Sequence, residues 1–284
     1  MYLKYIVFAV VISLTLAITG YGQAALNYRF KTLSFTEGLS HSNVNSIVQD
    51  SLGYVWLGTE NGLNRYDGTE VVTFKHNSDD TTSLLSNHIR KLFIDSQHRM
   101  WIITASGVGR YRSADDNFET YDFDAVADRL HDSSPMDIVE DATGQILVLS
   151  YYNKVFVFSE QRKRFEKRLS LNVSETARTL CTFQGRLFVG TQRHLLEVDK
   201  SSGNIVYTKE INEVYDGWDP LSSGIKQLTK VEDRLWVTGS EIHLHYFDIP
   251  TQTLRKVDQL PYASTLTPLN EHTYLVGSRK GAFL

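Results

Sequence analysis

Short runs in which apolar and polar residues alternate recur along the chain about every 44 residues. Residues 42–66 match residues 87–111 without a gap, and Trp56 falls on Trp101 in that alignment. Alternation with a period of two is typical of half-buried strands, and a turn of the form Asp-x-x-Gly follows the first run of the unit. Each unit therefore predicts four short strands joined by tight turns.

A hydroxyl residue ends the second apolar run of every unit and sets the register of the repeat. These residues are Thr59, Thr104, Ser150, Thr191, Ser240 and Ser278. Six units follow from this register, over 37–80, 81–125, 126–172, 173–213, 214–258 and an incomplete 259–284. Four-stranded repeats of this length are typical of an all-β propeller. The chain is therefore expected to form about six blades, either part of a seven-bladed propeller or a six-bladed closure.

The unit Val44–Asp67 resembles the two-component regulator propeller repeat, and Phe35–Asn43 is similar to the segment that usually precedes that family's first blade. The resemblance implies the periplasmic sensor of a hybrid two-component system that recognises carbohydrate fragments. It also implies that the full-length sensor is a homodimer, and that a membrane helix and a kinase follow the propeller in its chain. This chain carries neither kinase nor receiver motifs, so it is not expected to be an enzyme.

Both ends of the chain carry expectations of their own. Residues 1–24 combine a cation at Lys4, a short apolar run and small residues, which predicts a secretory signal peptide and export to the periplasm. An uncleaved membrane anchor is the alternative. Residues 27–35 are expected to form a strand that precedes the first full unit. The last unit ends within its third strand, so a truncated sensor is expected, with membrane attachment only through missing C-terminal segments.

Charge and residue counts exclude several classes of function. The net charge is −4, which disfavours a nucleic-acid partner. The single cysteine, Cys181, excludes an internal disulfide framework and a multi-cysteine zinc site. His243 and His245 alternate as metal ligands on one strand face would, yet no third ligand is evident. Neither a metal nor another cofactor is expected.

Ligand-binding candidates come from loops that a propeller places on one face. They are Glu60, Asn61, Tyr151, Tyr152, Asn153, Arg193, Tyr215, Asp216, Trp218 and Asp219. Aromatic rings stack on the C–H face of a sugar, and carboxylates accept hydrogen bonds from its hydroxyls. For Trp218 the alternative is packing on the blade beneath it, and for Tyr151 and Tyr152 it is packing between blades. Trp56, Trp101 and Trp236 are expected to be core.

Two functional classes and a third, inert possibility follow from these observations. The favoured class is a ligand-sensing module that binds a small molecule or an oligosaccharide. The second is a secreted propeller enzyme of the lyase or glycosidase type, which would need acid, base or metal groups gathered at the channel mouth. The third is a truncated gene product without function.

Overall fold

The structure is a computed structural model that describes residues 33–123, 134–211, 224–240, 242–257, 263–270, 273–278 and 281–283. The predicted signal peptide, residues 1–24, lies outside these ranges. Within them, the chain forms strands and one 3₁₀ helix, Phe35–Glu37. No helix in the described part of the chain has the length and apolar character needed to cross a membrane.

Five antiparallel sheets contain four strands each, paired in chain order. Sheet 1 consists of β1 (Val44–Gln49), β2 (Val55–Thr59), β3 (Gly62–Tyr66) and β4 (Val71–Phe74). Sheet 2 consists of β5 (Ile89–Ile94), β6 (Met100–Thr104), β7 (Val108–Arg112) and β8 (Asn117–Tyr121). Sheet 3 consists of β9 (Pro135–Glu140), β10 (Ile146–Ser150), β11 (Lys154–Ser159) and β12 (Arg164–Ser170).

The remaining sheets repeat this order. Sheet 4 consists of β13 (Thr179–Phe183), β14 (Arg186–Gly190), β15 (His194–Val198) and β16 (Ile205–Glu210). Sheet 5 consists of β17 (Gly224–Val231), β18 (Arg234–Ser240), β19 (His245–Asp248) and β20 (Thr253–Lys256). Sheet 6 has three described strands, β21 (Ala263–Asn270), β22 (Thr273–Ser278) and β23 (Gly281–Phe283). The predicted all-β fold of four-stranded units is confirmed, whereas the number of blades and their closure stay predictions.

The strand expected over 27–35 is wrong at its described end. Residues 33 and 34 are not in a strand, and Phe35 begins the 3₁₀ helix. The reason is local, because Ser34 and Glu37 form a capping box in which the Ser34 N–H donates to Glu37 Oε2 at 2.8 Å. Gly38 then ends the helix with a left-handed φ of 96°.

Neighbouring sheets face one another and bury the core between them. The first strand of each sheet contacts the first strand of the next, from β1 to β5 and onward to β21. Each apolar cluster takes side chains from two successive sheets. Trp56, for example, packs with Ile89 between sheets 1 and 2, and Trp101 packs with Ile138 between sheets 2 and 3. Stacking of sheets therefore supplies the burial that one four-stranded sheet lacks.

The aspartates that open the turns after β1 and β5 have a second role that the sequence analysis missed. Asp50 Oδ1 accepts the backbone N–H groups of residues 52 and 54, as the turn signature predicts. Its other oxygen accepts the indole N–H of Trp56 at 2.7 Å. Trp101 donates in the same way to Asp95, at 2.8 Å. The spacing of six residues between aspartate and tryptophan in both units is the signal for this bond.

Gly190 lies where sheet 4 packs closely against sheet 5, and this close packing can be tested by adding a methyl group at this position. A Cβ atom at this position would lie 2.6 Å from Ile225 Cγ2 and 2.7 Å from Thr179 Cγ2, closer than side chains tolerate. We expect Gly190→Ala to lower the free energy of unfolding by about 1–3 kcal/mol through overpacking. Urea denaturation of Gly190→Ala, Ile225→Ala and the double variant measures it. The double variant should cost less than the sum of the two singles. A strictly additive cycle would contradict the steric explanation.

Candidate functional site

The turns between the second and third strands lie beside the loops that lead from one sheet to the next. The N–H of Gly62 donates to the carbonyl of Asn87 at 2.8 Å, and the N–H of Ala105 donates to that of His88 at 3.0 Å. Tyr151 donates likewise to Ser134, at 2.9 Å. These turns and inter-sheet loops together are called the turn face below. In the described residues, the turns and the ends of the inter-sheet loops thus meet on one face.

Tyr151 and Tyr152 form an exposed aromatic pair on the turn face. They occupy the turn between β10 and β11, and their side chains are 50% and 48% exposed. The two rings meet edge to face, with centroids 5.3 Å apart and an interplanar angle of 85°. About half of each tyrosine is therefore open to solvent in this turn, and the other half is covered by the protein.

Asn153 anchors this aromatic turn to the segment that leads into sheet 4. Its backbone has a left-handed φ of 58°, a conformation that asparagine adopts more readily than most residues. Its side chain donates to the carbonyl of Glu175 at 2.9 Å and accepts the N–H of Ala177 at 2.7 Å. Asn153 therefore positions the tyrosines, and its amide is already engaged within the protein.

Glu175 extends this connection to the next turn, and the sequence analysis did not single it out. Its Oε2 atom accepts the hydroxyl of Thr191 at 2.6 Å and the backbone N–H of Arg193 at 3.0 Å. Its Oε1 atom lies 2.9 Å from Nδ1 of His194. The turn of Tyr151 and the turn of Arg193 are thus joined through one residue, because the backbone carbonyl of Glu175 accepts from Asn153 and its carboxylate accepts from the Arg193 turn. Only tertiary contact reveals this, since Glu175 belongs to neither turn.

These contacts change the acidity of Glu175. Burial alone would raise the pKa of its carboxyl group, but the hydrogen bonds from Thr191 and the Arg193 N–H, together with His194, outweigh burial. The pKa therefore lies below its ordinary value of 4.5. A carboxylate held in this way is poorly suited to act as a general acid near neutral pH.

A pH dependence of stability follows from the lowered pKa of Glu175. The carboxylate stabilises the folded state above the ordinary value of 4.5, and this contribution disappears as the pH falls through the lower folded pKa. At pH 7 we expect Glu175→Gln to lower the free energy of unfolding by roughly 1 kcal/mol. The difference from the unmodified protein should shrink at pH 3. Urea denaturation at both values tests this, and a gap that widens in acid would contradict it.

A groove of about 140 Å³ lies next to this carboxylate, between residues 173–175 and sheet 4. Its apolar lining consists of Val173, Leu196 and Ile205. Its polar lining consists of Ser174, Glu175, Thr191, His194 and Thr208. None of these lining residues was among the candidates from the sequence. One of them, Glu175, accepts the backbone N–H of a candidate, Arg193. The groove is assembled from a loop and two hairpins, and no local motif records that assembly.

The other candidates have different surroundings. Glu60 and Asn61 lie exposed in the turn between β2 and β3, where Asn43 donates to Glu60 Oε1 at 3.1 Å. Their described contacts lie within sheet 1 and its flanking loop, and these contacts do not include the aromatic turn of Tyr151 and Tyr152. The remaining four, Tyr215, Asp216, Trp218 and Asp219, lie outside the described residues.

One potential metal ligand, His245, and the thiol of Cys181 are buried in strands, whereas His243 is partly buried just before β19. His245 is buried in β19, and its Nδ1 lies 2.9 Å from the carbonyl oxygen of His243, which precedes the strand. Among the described residues, no group of three histidine, cysteine or acidic side chains could hold a metal ion. Cys181 is buried in β13, and burial raises the pKa of its thiol to about 11. A thiol in this state is chemically inert.

The described sheets define a propeller-type repeat protein built of four-stranded antiparallel units. The family model described as Two component regulator propeller matches residues 38–61. Over 78 residues the chain is 40% identical to Histidine kinase P4 of Formosa agariphila. That stretch is 28% of this chain and 6% of the kinase. The chain therefore carries the repeat of the two-component regulator propeller family and is homologous to a histidine kinase over that stretch.

Solved structures share the fold over most of the chain. The extracellular domain of BT3049, assigned to the hybrid two-component systems of B. thetaiotaomicron, is 20% identical with a TM-score of 0.71. The match covers 89% of this chain and 34% of that one. Virginiamycin B lyase from Staphylococcus aureus is 13% identical with a TM-score of 0.59, and the match covers 85% and 84% of the two chains. At these identities the likeness is one of fold alone.

Proposed function

We propose that this chain is the periplasmic ligand-sensing propeller of a hybrid two-component signalling protein and that it binds a carbohydrate fragment on the turn face. The exposed Tyr151–Tyr152 pair, held in place by Asn153, is the observation that carries the proposal. Exposed aromatic rings on a fixed turn provide stacking surface at little cost in ordering the protein. The family repeat over residues 38–61 supports a place in two-component signalling.

Signalling would require parts outside this chain. In the proposal, the ligand favours one arrangement of a homodimer, and C-terminal membrane and kinase segments carry that bias across the membrane. The homologous kinase is consistent with this arrangement. The likeness to a lyase supports only the fold, and Glu175, the acid linked to the aromatic turn through Asn153, is engaged by neighbouring donors. A sensor is therefore favoured over an enzyme.

The aromatic turn is tested by titrating the full chain with a panel of plant and host oligosaccharides by isothermal calorimetry. We expect saturable binding of at least one of them. Replacing both tyrosines, Tyr151→Ala with Tyr152→Ala, should weaken that binding about tenfold or more, since aromatic contacts contribute about 1 kcal/mol each. Leu52→Ala is the control, because Leu52 is 75% exposed but lies in the turn at the other end of sheet 1.

The same incubations distinguish a sensor from an enzyme. Chromatography of the oligosaccharides after incubation should show them unchanged. Release of cleaved products would overturn the proposal in favour of the lyase or glycosidase alternative. Equal losses of affinity in the tyrosine variant and the Leu52→Ala control would remove the aromatic turn from the binding surface.

A further inference from the structure

The groove beside Glu175 is lined by apolar side chains and by hydroxyl groups. Val173, Leu196 and Ile205 are its apolar residues. Thr208 contributes a hydroxyl group from sheet 4, and Ser174 contributes one from the facing loop, while the hydroxyl of Thr191 donates to Glu175. A ligand that matches this lining needs both C–H surface and hydrogen-bonding groups. The described lining contains no phenylalanine, tyrosine or tryptophan, and the imidazole of His194 is the one ring in it.

The charges around the groove favour an uncharged occupant. Glu175 and His194 both line it, but they are paired with each other at 2.9 Å. The second oxygen of Glu175 already accepts two hydrogen bonds, from Thr191 and from the Arg193 N–H. A charged ligand would therefore lose hydration without gaining an uncommitted counter-charge from the lining. Nε2 of His194 is the ring nitrogen that this pairing leaves for a ligand.

The volume of the groove limits the size of the group it can hold. A water molecule occupies about 30 Å³ in the liquid, so 140 Å³ corresponds to about five waters. That space is comparable to one six-membered ring with its substituents. A longer chain would extend out of the groove along the turn face. The aromatic turn contacts the groove lining directly, since Asn153 donates to the carbonyl of Glu175.

We propose that the groove lined by Ser174, His194 and Thr208 is a binding subsite for one uncharged, saturated ring that carries hydroxyl groups, namely a single neutral sugar unit. The inference rests on the proposed function and deepens it. One oligosaccharide places a terminal unit in the groove while a neighbouring unit contacts the tyrosine pair. Glu175 is a positioning residue here, because its oxygens hold Thr191 and His194 in place.

Blocking the groove with a large side chain tests the subsite. Thr208 is exposed on the outer strand β16, so Thr208→Trp fills the groove without replacing a core residue. Thr120→Trp is the matched control, since Thr120 is an exposed threonine on the outer strand β8 of sheet 2, away from the groove. Circular dichroism and urea denaturation establish that both variants are folded.

The probes are neutral monosaccharides (glucose, galactose, mannose, xylose), with glucuronate and glucosamine as charged counterparts, measured by saturation-transfer NMR on the full chain. At least one neutral sugar is expected to bind with a Kd on the order of 1 mM. Thr208→Trp should weaken that binding at least tenfold, and Thr120→Trp should leave it unchanged. The charged counterpart should bind more weakly than the neutral sugar of the same ring.

The outcomes separate this inference from the proposed function. If oligosaccharides bind through the tyrosines but Thr208→Trp has no effect, the groove is not a subsite, and the sensor proposal stands. If no sugar of either kind binds the folded chain, both are overturned. Tighter binding of a charged sugar than of its neutral counterpart would overturn the assignment of a neutral occupant.

Discussion

Asp137→Ala is expected to lower the free energy of unfolding by about 3 kcal/mol. Asp137 lies in β9, the first strand of sheet 3, and is 2% exposed. One carboxylate oxygen pairs with Nζ of Lys91 in sheet 2. The other accepts the Thr179 hydroxyl at 2.7 Å and the Leu180 N–H at 2.8 Å, both in sheet 4. Removing this carboxylate leaves two buried donors and the partly exposed Lys91 cation without their acceptor, and the loss of these interactions destabilises the folded state.

Two further variants make this prediction specific. Asp137→Asn keeps one acceptor for sheet 4 but turns an amide donor toward Lys91, so an intermediate loss is expected. Asp115→Ala is the control, because the pair of Asp115 with Arg112 is about half exposed on both sides. Such surface pairs contribute little, and its effect should stay within about 0.5 kcal/mol. Urea denaturation measures all three. An effect of Asp137→Ala below 1 kcal/mol would show that the three sheets are not joined through this residue.

Trp101→Ala is expected to lower the free energy of unfolding by about 3–5 kcal/mol, because it removes a fully buried ring from the core between sheets 2 and 3. The ring lies 4.9 Å from that of Phe158 and 5.6 Å from that of Tyr121, between centroids. Its N–H donates to Asp95. Trp101→Phe retains part of the ring but loses this hydrogen bond, so a loss of about 1–3 kcal/mol is expected.

The matched control for this prediction is Trp236→Phe. Trp236 occupies the corresponding position in sheet 5 but is only partly buried. Less area returns to water when it is shortened, and the loss should be smaller than for Trp101→Phe. Thermal and urea unfolding of both variants provide the comparison. Equal losses would mean that burial of the repeat tryptophan does not determine its contribution to stability.

The sequence by itself determined the features that depend on neighbours in the chain. The period of two predicted strands, and Asp-x-x-Gly turns such as Asp50 to Gly53 predicted the reversals between them. The structure has a φ of 90° at Gly53, as that turn requires. In the second unit His98 replaces the glycine and takes the same left-handed region, with a φ of 61°. The turn survives because Asp95 still accepts the N–H groups of residues 97 and 99.

Only the tertiary structure decided which polar residues meet across sheets. The Lys91–Asp137 pair joins residues of two units, and nothing in either local pattern marks it. Glu175 lies outside every repeated motif, yet it links the aromatic turn of sheet 3 to the turn of sheet 4. The physical reason is that a strand pattern records which side of a sheet is apolar. Which polar partner faces a given position depends on how successive sheets stack. For the same reason, no sequence motif marks the residues that line the candidate ligand groove.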